Sequence, residues 1–305
     1  MNILDSISVI VPTYNRIDYL QETLKAILVQ ESQDLEIIVV DDCSTDETKE
    51  FLINFAKSHE QVKPVFLTSN QGESFAVNVG WKSASKKFIA IVSSDDPPHK
   101  DWLKTMSIGM NANPGHGFYY PDRLVINQLG EPLRIELLAD WSSKTLYEVL
   151  IPIASAGLII DTTHLPANFV PRDPNVVFPS DLIQMFNLGL FTSGFRIAGA
   201  LGAWREHMGS FSSATNAKVK AMLFESNVKN WIHSHSTEIQ SYGSPHLREA
   251  YLYGHLWLIF RKDFSLTHSF FLIIKSSLLQ SICKRPRLVT SIATIAIRYT
   301  MKRSV

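Results

Sequence analysis

Two acidic pairs in the first hundred residues, Asp41-Asp42 and Asp95-Asp96, follow short apolar runs, Leu35 to Val40 and Phe88 to Val92. Carboxylates so placed, with no cysteine beside them, suit a hard cation such as Mg²⁺ or Mn²⁺. Such a cation binds through oxygen and is usually shared with phosphate oxygens. Ser93-Ser94 before the second pair and Pro97-Pro98 after it place Asp95 and Asp96 in a loop, where a carboxylate reaches solvent and a diphosphate. Asp and Pro also favour plain surface turns, so the pair gains meaning only from its setting.

That setting is a repeated strand and helix rhythm. Four β-rich runs, Ile7 to Val11, Leu35 to Val40, Val62 to Leu67 and Phe88 to Val92, alternate with helix-like segments, the signature of a parallel sheet. Asn15 reads as the N-cap of a first helix whose apolar face carries Ile17, Leu20, Leu24, Ile27 and Leu28. Ser44 and Glu47 have capping-box spacing for a second helix. Ligands of open α/β sheets bind outside the carboxyl ends of the strands, which favours Asn15, Asp41, Asp42, Asp95 and Asp96. From Asn111 to about Asn175 the pattern is less regular, with short strands such as Gly117 to Tyr120 between turns, and reads as an acceptor-facing layer.

These residues resemble family 2 glycosyltransferases of the GT-A fold. The likeness lies in Val11-Pro12-Thr13-Tyr14-Asn15-Arg16, then Val39-Val40-Asp41-Asp42-Cys43-Ser44-Thr45-Asp46. It continues through Asn70-Gln71-Gly72, Ala76-Val77-Asn78-Val79-Gly80 and Ser93-Ser94-Asp95-Asp96, and covers about the first 210 residues. The resemblance implies an α/β fold, a Rossmann-like mostly parallel sheet flanked by helices, here with a helical C-terminal extension.

It also implies a nucleotide-diphosphate sugar as donor, held by Pro12, Thr13, Tyr14, Asn15, Asp41, Asn70, Asn78, Ser94 and Asp95. A Mg²⁺ or Mn²⁺ ion would sit at Asp95, Asp96 and His207. Phe178-Pro179-Ser180-Asp181-Leu182 is similar to the family's acidic motif at a helix start, which makes Asp181 the expected base toward the acceptor hydroxyl. Arg205 and His207 are similar in order to the family's Arg-x-His segment. Three usual charged positions carry Val77, Ser93 and Ser180 instead, which motivates the alternative of a non-catalytic module that binds a nucleotide sugar or a protein partner.

The 305 residues are 45% hydrophobic and 19% charged, enough to bury a large core. The formal net charge of zero hides an asymmetry. From Lys229 onward eleven Lys or Arg face three acids, a net of +8, which leaves −8 for residues 1–228. The expected domains are therefore 1–228, the glycosyltransferase part, and 229–305, a basic and apolar helical extension with helices near His246 to Arg261, Leu266 to Cys283 and Arg287 to Met301.

That extension reads as a surface for an anionic membrane, a homo-oligomer contact or a solvated basic face, and no nucleic-acid partner is expected. Ser269 to Cys283, interrupted by Lys275, is too short to span a bilayer. Met1 to Ser6 offers no signal peptide, so the expected location is cytoplasmic, peripheral on the inner face of the plasma membrane. Cys43 and Cys283 form no metal-binding spacing. No GxGxxG follows the first strand, which argues against a dinucleotide-dependent dehydrogenase.

Overall fold

A computed structural model describes residues 4, 6–150, 156–207, 217–245, 248–249, 251–253 and 256. The chain divides into two compact units, residues 1–141 with 153–213, and residues 142–152 with 214–305.

The first unit is built on one eight-stranded sheet: β1 (Ser6–Thr13), β2 (Asp34–Asp41), β3 (Val62–Phe66), β4 (Phe88–Ile91), β5 (Phe118–Ile126), β6 (Pro132–Glu136), β7 (Ile159–Asp161) and β8 (Gly194–Arg205). The order is β3-β2-β1-β4-β7-β5-β6, with β8 also paired to β5. The first four strands run parallel, and β7 is antiparallel to both β4 and β5. From Ile7 to Thr13, β1 is buried at every position, as a strand covered on both faces must be. Pro64, which has no ladder N–H, is tolerated because β3 is the edge strand.

Among the described residues five α-helices accompany the sheet: α1 (Ile17–Leu28), α2 (Thr48–Ser58), α3 (Glu73–Ser83), α4 (Trp102–Ala112) and, late in the chain, α6 (Ser180–Phe191). On α1, Leu20, Leu24 and Ile27 are fully buried, at the i, i+4, i+7 spacing of a single face. Each such side chain contributes roughly 1.5–3 kcal/mol by leaving water. Gly80 lets α3 lie close on the sheet, since a Cβ there would collide with Ile10 Cγ2 and crowd Val40.

Three local expectations need correction. The N-cap of α1 is Arg16, not Asn15; Asn15 takes a left-handed φ of 51° and its Oδ1 accepts from the Thr45 N–H at 2.7 Å instead. The Ser44 and Glu47 capping box does not form: α2 starts at Thr48 with Glu47 as N-cap, and Ser44 Oγ accepts from the Asn15 N–H at 2.9 Å. Both side chains are drawn into a clasp between neighbouring loops, which outcompetes local capping. The short strand at Gly117 to Tyr120 extends to Ile126, because β8 pairs with it over its whole length.

In the second unit, α5 (Ser143–Val149) and α7 (Ala217–Ser234) carry Tyr147 and Trp231, stacked at 5.9 Å and 3°. Buried Arg248 donates from Nε to the Tyr147 carbonyl at 2.9 Å and from a terminal nitrogen to the Ile239 carbonyl. Helix α7 runs without a break through residue 228, where the charge balance changes. Of the three expected tail helices, only 248–249, 251–253 and 256 are described, all helical, and the rest lie outside the described residues. Among the described residues no helix is long and apolar enough to cross a membrane.

Candidate functional site

Strand β1 is followed in the sheet by β2 and β3 on one side and by β4 on the other, so the strand order reverses between β1 and β4. A crevice opens at such a point, outside the carboxyl ends. The register puts Thr13 opposite Asp41 and Ile10 opposite Ile91, which brings the loops after β1, β2 and β4 to one edge. A cleft there is lined by Pro12, Thr13, Tyr14, Arg16, Asp42, Glu73, Ala76, Ser93 and Ser94.

Four of the expected donor-site residues, Pro12, Thr13, Tyr14 and Ser94, thus share this cleft. The Tyr14 ring is exposed. Thr13 is buried, yet its Oγ1 has no hydrogen-bond partner, an unmet demand of about 1–3 kcal/mol. Asp41 is buried and accepts from the Ser44 N–H at 3.1 Å. Asp42 accepts from the N–H groups of Gln71 (2.8 Å) and Gly72 (2.7 Å), which pins the loop that opens α3. Asn70 is exposed. Asn78 turns away from the cleft edge residues: its Nδ2 donates to the Arg172 carbonyl at 2.7 Å and its Oδ1 accepts from the Arg172 N–H at 3.1 Å.

Asp95 is the electrostatic centre. Its Oδ2 lies 2.7 Å from an Arg16 guanidinium nitrogen and 2.8 Å from His207 Nε2. Asp96 points elsewhere, its Oδ1 accepting from the Arg205 N–H at 2.7 Å. Burial, and then the neighbouring Asp95 charge, push the Asp96 carboxyl well above the usual carboxylate range. The Arg205 side chain, fully buried, donates to the Asp95 carbonyl (2.8 Å), the Gln128 carbonyl (3.1 Å) and Glu22 (2.6 Å), and lies 4.9 Å from the Tyr19 ring centre. Residues more than a hundred positions apart are therefore fastened into one acidic loop.

Among the described residues no group of three or more His, Cys, Asp or Glu is gathered in a metal-holding arrangement. The donor chemistry nevertheless fits a hard cation shared with a diphosphate, which needs only one or two protein carboxylates. The Asp95 carboxylate already gathers the Arg16 guanidinium and the His207 imidazole at one oxygen.

Asp181 is partly exposed in the first turn of α6, and its Oδ1 accepts from the adjacent Leu182 N–H at 2.9 Å. Neither Asp181 nor Ser180 caps the helix, whose N-cap is Pro179. The residues that sequence reasoning passed over are Arg16, Glu73 and Arg172. Arg16 closes the opening motif and could have been found there, whereas Arg172 lies in the irregular segment and carries no local signal.

A sheet of this order, with acidic loops at the β1 and β4 edge, defines the α/β GT-A class. Residues 8–136 match the model for glycosyl transferase family 2. It is 39% identical over 169 residues to an uncharacterized glycosyltransferase of Rickettsia conorii, covering 55% of this chain and 28% of that protein. It is 36% identical over 124 residues to the GalNAc(5)-diNAcBac-PP-undecaprenol beta-1,3-glucosyltransferase of Campylobacter jejuni, covering 40% of this chain and 39% of the relative. Among solved structures, TarS 1-349 of S. aureus in complex with UDP-GlcNAc aligns with a TM-score of 0.60 at 16% identity, over 96% of this chain and 92% of that one, a likeness of fold. The chain spans only 28 to 39% of the length of the first curated relatives it matches.

Proposed function

We propose that this protein is an inverting glycosyltransferase that moves a sugar from a nucleotide-diphosphate sugar to a glycan or lipid-linked acceptor. The observation that carries the reading is the cleft at the β1 and β4 edge, where the orphaned Thr13 hydroxyl lies with the loop of Asp95, the carboxylate that holds Arg16 and His207. The match to the family 2 model, a relative that is a glucosyltransferase on an undecaprenol-linked glycan and a fold shared with a UDP-GlcNAc complex support it.

In this reading Pro12, Thr13, Tyr14, Asn15 and Asp41 hold the base and ribose. Tyr14 offers an exposed ring for stacking, and Asp41 accepts an imide N–H of the base. Asn70 and Ser94 contribute polar contacts, and Asn78 acts by anchoring the Arg172 loop. Asp95, His207 and the free oxygen of Asp96 would hold Mg²⁺ or Mn²⁺. That ion, when bound, supplies charge neutralisation for the diphosphate leaving group. Arg16, displaced from Asp95, is placed to meet the same phosphate charge. Asp181 removes the proton of the acceptor hydroxyl as it attacks the anomeric carbon from the opposite side, which inverts its configuration.

The test begins with a thermal-shift panel of UDP-, GDP- and dTDP-sugars with Mn²⁺, followed by turnover of the donor it selects. Asp181→Asn is expected to lower turnover by about 10²-fold or more while the donor shift remains, and full turnover in that variant rejects Asp181 as base. A non-catalytic module is favoured by one observation, that the Asp95 charge is already met by the Arg16 guanidinium. Donor binding without hydrolysis or transfer under any acceptor would establish that reading instead.

We further propose that the protein acts in the cytoplasm at the inner face of the plasma membrane, through the basic residues after Lys229. Flotation of the full chain with phosphatidylglycerol vesicles but not with phosphatidylcholine vesicles is expected, and equal flotation with neither removes the proposal.

A further inference from the structure

We infer that Arg172 is a positioning residue that holds the proposed base Asp181 in register with the donor cleft, an assignment that rests on the base reading above. Arg172 is almost fully buried. Its Nε donates to Gln184 Oε1 at 2.9 Å, and one terminal nitrogen donates both to Glu73 Oε1 at 2.8 Å and to Ser180 Oγ at 3.0 Å. Its backbone N–H and carbonyl are both taken by the Asn78 amide.

The partners fall on two helices. Glu73 is the first residue of α3 and lines the cleft. Ser180 and Gln184 stand one turn apart on α6, and Asp181 lies between them. Among the described residues the Asp181 side chain bonds only the N–H next to it, so its aim is set by the turn that carries it. That turn is fastened to α3 through the guanidinium fork. The loop between residues 172 and 180 is stitched to the same helix again, by Ser74 Oγ donating to the Val176 carbonyl at 3.1 Å.

A buried guanidinium is a costly way to join two helices that apolar packing could join, and its gain is directional geometry. Its counter-charge, Glu73, stays about half exposed at the cleft. A donor that excludes water there strengthens the Glu73 and Arg172 pair, because attraction grows as the local dielectric falls. Donor occupancy thus tightens the turn that presents the base.

Glu73 and Ser180 both bond to Arg172 and not to each other, which permits a double-mutant cycle that leaves the buried charge in place. Glu73→Gln and Ser180→Ala are each expected to slow turnover of the selected donor by roughly 3- to 10-fold, the usual effect of losing one hydrogen bond. The double variant is expected to be slower by clearly less than the product of the two, while the two shifts in Tm add. Effects on turnover that multiply, or coupling in Tm as large as that in turnover, overturn the inference. Asp181→Asn run alongside separates the two readings. If it retains turnover the base assignment falls, and the inference with it; if it is inactive while the cycle shows no coupling, only the role of Arg172 falls.

Discussion

Arg205 donates from Nε to the backbone carbonyl of Asp95, 110 positions earlier in the chain, at 2.8 Å, while its own N–H reaches the Asp96 carboxylate at 2.7 Å. One buried side chain therefore shapes the loop that carries both acids, and its guanidinium is spent on that loop, on the carbonyls of residues 127 and 128 and on Glu22. It is a framework for the acidic loop rather than a group free to close over a substrate.

Replacing it tests that division of labour. Arg205→Met leaves two or more carbonyls and Glu22 without their donor and is expected to cost about 3–5 kcal/mol, the range for breaking a buried ionic network. Urea unfolding followed by fluorescence measures it, and a loss below about 1 kcal/mol contradicts the framework role.

Thr13→Val gives the opposite signature. The substitution removes an orphaned buried hydroxyl, so the free protein is expected to be unchanged or more stable by up to about 1 kcal/mol. Donor affinity is expected to fall by roughly fivefold or more, as one hydrogen bond is lost. Calorimetric titration with the selected nucleotide sugar reads the second effect, and unchanged affinity removes Thr13 from the donor site.

Asp96 and Asp95 are expected to separate on amidation. The Asp96 carboxyl is raised by burial and by Asp95, so its folded-state pKa exceeds the unfolded one. Its contribution is then fully present below the unfolded pKa and is lost as pH rises through the folded one. Asp96→Asn keeps an acceptor for the Arg205 N–H and relieves that repulsion, so Tm at neutral pH is expected to hold or rise. Asp95→Asn removes the charge that faces Arg16 and His207 and is expected to lower Tm and abolish donor turnover. A thermal scan of the two variants at pH 7 decides between them, and a drop with Asp96→Asn as large as with Asp95→Asn counts against the assignment.

Glu36 ties part of the sheet's stability to pH. Burial alone raises its pKa, but hydrogen bonds from Lys63, Ser8 and Ser85 bring it down to about 2. A depressed carboxylate stabilises the fold above its unfolded pKa, and that contribution fades as pH falls from about 4.5 toward about 2. It is of order 3 kcal/mol. Glu36→Gln is expected to lose much of this at pH 7 and to flatten stability over that window. Equal acid sensitivity in wild type and variant contradicts the account.

Much of the first half of the sheet was legible in the chain itself. The alternation of short apolar runs with amphipathic segments gave β1 to β4 and α1, because strands buried on both faces and helices buried on one leave periodic traces within a dozen residues. The strand-end positions of Asp41, Asp42, Asp95 and Asp96 follow from the same periodicity. Capping was misread at Asn15 and Ser44, where short polar side chains had a choice of partners. The folded chain offered each a neighbouring loop in place of its own helix.

What sequence alone determined here is the framework: a mostly parallel α/β sheet with acidic pairs at the carboxyl ends of its strands. Tertiary structure decided how those acids are used. It gave Asp95 to Arg16 and His207, Asp96 to Arg205, Asn78 to Arg172, and the first turn of α6 to a guanidinium that also holds Glu73. Periodicity reports only neighbours along one element. A buried charge takes its partners from whichever segments the packing brings within hydrogen-bond reach, at separations of 79 to 112 residues for all of these pairs but Arg172 and Ser180, which are 8 apart, and no local pattern records that choice.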